Sequence, residues 1–174
     1  MLQKVGKSYG LVVIAATTIG LECWATGFAF AMPVRTRIFN KEFMQKHFGE
    51  IHRQEVGGEV SSLGYPDMGN GRYSEKLSYK DWLEFNSAQR AHYNFVEQVG
   101  IVIPMTLLAG LSAPYLASAA GFAYAIGRFM YSYGYINKGP KGRELGAVIA
   151  NGSFLALSGL SFFTGYKFLR GAFL

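Results

Sequence analysis

The sequence predicts an all-α fold: an integral membrane four-helix up-down bundle. Three observations predict it. Half of the 174 residues are hydrophobic and only 16% are charged, against about 25% charged in soluble domains; the mean hydropathy is positive. Four separate stretches reach the roughly 20 mostly apolar residues that a membrane-crossing helix needs: residues 9–32, 82–111, 113–135 and 144–168. Two of the three connections are short, which makes neighbouring helices antiparallel.

The first stretch opens MLQKVGKSYGLVVIAATTIG, basic and then apolar. Its apolar run continues to about Met32, longer than the core of a signal peptide, and no small-residue cleavage site stands out. It is expected to stay as a transmembrane helix. Residues 33–81 form a long polar loop. The first part, RIFNKEFMQKHFGEIHRQ, suits a helix and is expected to extend helix one. The rest, VGGEVSSLGYPDMGNGRYSEKLSYKDW, is dense in Gly, Pro, Asn and Asp and should fold as a series of turns. Tyr79-Lys80-Asp81 is expected to cap the second helix. Ser112-Ala113-Pro114 turns the chain into helix three, and NKGPKGR (137–143) turns it into helix four. Lys167 and Arg170 close helix four, where long cations snorkel. One folding unit is expected over residues 1–174.

Four crossings sort the cations. Lys4, Lys7, Lys167 and Arg170 fall on one face. Arg35, Arg37, Lys41, Lys46, Arg53, Arg72, Lys76, Lys80, Lys138, Lys141 and Arg143 fall on the other. The more basic face is expected on the cytoplasmic or equivalent side. Topology thus accounts for the net charge of +6, and nucleic-acid binding is not expected. The single Cys23 permits no internal disulfide. With His47 and His52 in the loop and remote from it, no metal site is expected.

Helix two begins with polar turns: FNSAQRAHYNFVEQ. Arg90, Asn94 and Glu97 stand at i, i+4 and i+7, on one face. In helix three, Arg128, Tyr131 and Tyr135 share a face at i, i+3 and i+7. Helix two enters from the basic side and helix three leaves there, so the stripes lie at one depth. They can line a single polar pocket, with Lys141, Arg143, Arg35 and Arg37 over its mouth. Guanidinium groups grip carboxylates in a planar fork, and a buried carboxylate holds an ammonium. The pocket therefore suits a small anionic or zwitterionic ligand. The plainer alternatives are an Arg90–Glu97 pair and interfacial tyrosines; ionisable groups at membrane depth favour function over them. Elsewhere, Glu22 either pairs with Arg128 or bonds within the bundle. Pro104 is expected to kink helix two, His92 to make a structural hydrogen bond, and FLALSGLSFF to face lipid or core.

The run FNSAQRAHYNFVE resembles the helix-two signature of the MAPEG family of membrane-associated eicosanoid and glutathione enzymes. The tract GRFMYSYGYINKGPKGR is similar to its helix-three pattern, an Arg followed by spaced Tyr and Gly, and YPDMGNG looks like its glutathione-transferase branch. The resemblance covers about Val34 to the end of helix four. It implies a homotrimer that binds glutathione between subunits. By position, Arg90 would hold a glutathione carboxylate, Asn94 its peptide backbone and Glu97 the glutamyl ammonium. Tyr131 and Tyr135 would line the cleft with Arg128, and Arg35 or Arg37 would help the grip. Catalytic members face the thiol with an arginine at the start of helix four; Arg143 matches best and Lys141 is the substitute. Two positions depart from the pattern: Gln98 follows the Glu where some members carry Tyr, and Ser87 replaces a common Cys.

The resemblance implies a glutathione transferase or glutathione-dependent peroxidase acting on lipophilic electrophiles and lipid hydroperoxides drawn from membrane lipids. The endoplasmic reticulum or a mitochondrial membrane is the expected location. The alternative is a non-catalytic accessory subunit joined to other membrane subunits, which the long loop favours. An ion or solute channel is least expected, because the polar residues occupy one side of the bilayer.

Overall fold

A computed structural model describes residues 6–63 and 67–171. Lys4, and Tyr65 and Pro66 of the YPDMGNG tract, lie outside the described residues. The elements are α1 (Tyr9–Thr26), a π-helical turn (Gly27–Ala31), α2 (Met32–Ile38), α3 (Lys41–Glu55), a 3-10 turn (Ser74–Lys76), α4 (Tyr79–Gly110), α5 (Pro114–Lys138), a 3-10 turn (Gly139–Arg143) and α6 (Glu144–Leu169). The chain forms two compact units: one of residues 1–25 and 93–174, the other of residues 26–92.

The first unit is a four-helix bundle made from α1, the second half of α4, α5 and α6. Every helix contributes to its core: Val12 and Ile19, Phe95 and Val102, Ala117 and Tyr124, Ala150 and Leu157. Apolar burial does little to join helices already in lipid, so close approach must do more, and small residues allow it. A Cβ at Gly127 would lie 2.6 Å from the Ala150 nitrogen, and one at Gly110 would lie 2.5 Å from Val12 Cγ1. A Cβ at Gly134 would strike the Gly142 carbonyl oxygen, and one at Gly146 would strike the Tyr131 nitrogen. Backbone therefore meets backbone along the α5–α6 seam. Polar side chains add cross-links: Tyr9 Oη donates to the Leu107 carbonyl at 3.1 Å, and Ser161 Oγ to the Met105 carbonyl at 2.9 Å.

Among the described residues, two helical stretches, Tyr9–Ile38 and Pro114–Leu169, are long and apolar enough to cross a membrane. The second holds both α5 and α6. The expected span over 82–111 is not among them, because Asn94, Glu97 and Gln98 fall within the apolar half of α4. Pro104 removes a ladder hydrogen bond, yet α4 continues through it as one helix.

The second unit has its own core of Ile38, Phe39, Met44, Phe48, Val60 and Phe85. Helix one does not extend through 41–55 as expected. The Asn40 backbone is extended (φ −70°, ψ 169°), and its Oδ1 accepts from the Phe43 nitrogen at 2.9 Å, so α3 starts afresh with its own cap. The expected cap of α4 is also displaced. Ser78 Oγ accepts from the Asp81 nitrogen at 3.1 Å and donates to Asp81 Oδ2 at 2.7 Å. Asp81 is thus the third-position partner of a Ser cap.

The loop before α4 winds around one buried carboxylate. Asp67 accepts from the nitrogens of Gly69 (2.8 Å), Gly71 (3.2 Å) and Ser74 (2.7 Å), and from Ser74 Oγ (2.7 Å). Burial alone would raise its pKa, but these donors outweigh burial and hold Asp67 below the usual carboxylate range. Trp82 Nε1 and Asn86 Nδ2 both donate to the Gly69 carbonyl, at 2.9 and 3.1 Å. Gly69 has φ +104°, which a side chain would resist.

Candidate functional site: a polar cavity in the bundle

A cavity of about 230 Å³ opens in the first unit, lined by Asn94, Glu97 and Gln98 of α4, Arg128 and Tyr131 of α5, Arg143, and Ala147 and Asn151 of α6. Both polar stripes expected from the sequence contribute to it. Helical spacing puts Asn94 and Glu97 on one side of α4, with Gln98 one turn beyond Asn94. Arg128 and Tyr131 are buried, at 2% and 7% exposure, because the glycine seam draws α6 tightly onto this face of α5.

Tyr131 is the hub. Its hydroxyl oxygen accepts from Asn94 Nδ2 at 2.8 Å and from Arg143 Nη1 at 2.9 Å, tying α4 and the start of α6 to α5. The Arg143 guanidinium also lies over the Tyr131 and Tyr135 rings, at 5.6 and 5.2 Å. Arg128 stacks between Phe95 (4.7 Å) and Tyr131 (4.4 Å). Its Nε and Nη2 are buried without a hydrogen-bond partner among the described residues, as are Glu22 Oε1 and Ser132 Oγ. Glu22 feels the charge of Arg128, but no ion pair joins them. Behind the cavity Tyr124 Oη donates to Gln98 Oε1 at 2.9 Å.

Other expected site residues stand elsewhere. Arg90 is exposed one turn before Asn94 and belongs to the second unit. Arg35 and Arg37 do not line the cavity; both are held inside the second unit. Arg35 donates to the Leu63 carbonyl at 3.0 Å and lies 5.0 Å from the centre of the Phe85 ring. Arg37 pairs with Glu84 at 2.7 Å and Asp81 at 3.5 Å. Lys141 is exposed on the 3-10 turn and is not part of the lining, so of the two candidate thiol-facing cations only Arg143 borders the cavity. His92 Nδ1 lies 3.1 Å from Thr26 Oγ1, packed against Gly27.

Asn151 was missed from sequence. It stands two turns past Arg143, the one amide side chain on α6, and that was the available signal. Gln98 appeared only as a departure from a motif, although it continues the Asn94 face.

The bundle and its cavity define the class: an all-α membrane protein with a charged, amide-rich pocket among its helices. The chain belongs to the MAPEG family, which it matches over residues 11–163. No solved structure matches the chain. The family includes glutathione transferases and peroxidases as well as other members, and members use glutathione.

Proposed function

We propose that the protein is a membrane-bound glutathione transferase and peroxidase, most like microsomal glutathione transferase 3, working as a homotrimer in the endoplasmic reticulum or a mitochondrial membrane. The carrying observation is the cavity that gathers Asn94, Glu97, Arg128, Tyr131 and Arg143 in one place. A γ-glutamyl peptide offers an ammonium to Glu97, amide groups to Asn94 and Gln98, and carboxylate and thiol groups to guanidinium donors. Tyr135 joins the grip from the turn that follows Tyr131 on α5. Arg143 favours the ionised thiol, which is the nucleophile. The membrane brings the lipophilic second substrate by partitioning.

The test is conjugation of glutathione to an apolar aryl halide, and reduction of a lipid hydroperoxide, by pure protein in lipid nanodiscs. Turnover that falls at least tenfold in Glu97→Gln supports the proposal. Wild-type protein that stays folded but turns over neither substrate counts against it. One observation favours a second reading, an accessory subunit of a larger membrane complex: the separately cored unit of residues 26–92, with a cavity of about 400 Å³ between α3 and the Asp67 loop. Stoichiometric co-purification with other membrane subunits, without glutathione turnover, would establish that role instead.

A further inference from the structure

We propose that Met68 is a redox-modification site: a hydroperoxide oxidises its thioether to the sulfoxide, and Gln89 and Arg35 hold the product. Glutathione plays no part in the step. Met68 and Met32 are the exposed methionines among the described residues, at 45% and 41%. Met32 lies in the apolar stretch Tyr9–Ile38. Met68 stands in the loop of the second unit and lines the cavity of about 400 Å³ beside Phe48, Ile51 and Tyr73. Met44 is buried, and Met105 and Met130 are half-buried. Exposure and an adjoining cavity bring a peroxide to the Met68 sulfur, and exposure is what makes a methionine oxidisable.

The surroundings of that sulfur suit the product better than the thioether. Gln89 Nε2 donates to Sδ at 3.7 Å and Arg35 Nη2 at 3.8 Å. A thioether is a weak acceptor, so both donors are poorly spent. Both are also fixed in place. Gln89 is 5% exposed. Arg35 is anchored on the Leu63 carbonyl and lies over the Phe85 ring. Oxidation replaces the weak acceptor with a polar oxygen, so the same donors bind the loop more firmly to α2 and α4. One wall of the cavity becomes polar at the same time.

In the reaction a sulfur lone pair attacks the terminal peroxide oxygen. An S–O bond forms and the O–O bond breaks. Sulfur is oxidised by two electrons and the peroxide is reduced by two. The leaving oxygen takes the proton of the attacked hydroxyl and departs as an alcohol, or as water when the oxidant is hydrogen peroxide. A methionine sulfoxide reductase reverses the change.

The experiment treats the protein in nanodiscs with hydrogen peroxide, in a Trp24→Phe background, and counts sulfoxide at each methionine over time by peptide mass spectrometry. Met68 should oxidise at least about fivefold faster than Met32. Thermal unfolding followed by Trp82 fluorescence then reads the donors. The shift caused by peroxide should be about 2–4 °C more positive with Met68 than in Met68→Leu treated alike, as strengthened hydrogen bonds imply. In Gln89→Leu that advantage should disappear. If Gln89→Leu does not fold, Met68→Gln carries the test: its amide oxygen stands in for the sulfoxide oxygen, and it should melt above Met68→Leu. Met68 oxidised no faster than Met32 overturns the proposal. So does oxidised protein that melts lower relative to treated Met68→Leu, or Met68→Gln no more stable than Met68→Leu.

Discussion

The Tyr131 hydroxyl accepts a hydrogen bond from Arg143 Nη1 at 2.9 Å. With Asn94 donating to the same oxygen, one phenol aligns three helices around the cavity. Tyr131→Phe leaves both donors short of a partner, which costs about 1–3 kcal/mol when such groups are buried. The expected outcome is a lower melting temperature in detergent and weaker glutathione binding. An unchanged melting temperature would show that the hub does not hold the helices.

The α5–α6 seam yields a paired prediction. Gly146→Ala places a Cβ against the Tyr131 nitrogen, backbone that cannot step aside cheaply. Overpacking of this kind costs about 1–3 kcal/mol or more, and it displaces Tyr131 itself. Gly152→Ala, on the same helix, meets nothing within 4 Å and should be neutral or slightly stabilising. Thermal unfolding of the two variants side by side checks the contrast.

Asp67 gives the second unit a pH dependence. Its folded pKa lies below its unfolded one, near 3.9. Its contribution is therefore complete above that unfolded value and is lost as pH falls through the lower folded value. Urea unfolding followed by Trp82 fluorescence, in a Trp24→Phe background, should show stability falling below about pH 4. Asp67→Ala should remove most of that dependence. It should also cost about 2–4 kcal/mol at neutral pH, since several donors lose a charged acceptor.

The legible parts of this chain were those set by period and length. The apolar runs at 113–135 and 144–168 lie within a few residues of α5 and α6, and the spacing of Asn94 and Glu97, and of Arg128 and Tyr131, announces the facing stripes. The missed parts depend on single side chains acting over distance. Asn40 restarts a helix where composition alone reads as continuous. Asp67 looks like any loop carboxylate until four donors converge on it. Arg35 and Arg37 carry the right charge for a pocket mouth, yet Leu63, Phe85, Asp81 and Glu84 claim them first. Asn151 belongs to no stripe in its own helix, and only the packing of α6 against α5 brings it to the cavity.

The most direct measurement is calorimetric titration of the protein in nanodiscs with glutathione, beside Asn94→Ala and Glu97→Gln. Saturable binding by the wild type, weakened at least tenfold in each variant while helix content stays the same, is the predicted result. Folded wild-type protein that takes up no glutathione, or variants that bind it as tightly as the wild type, would contradict the assignment of this cavity.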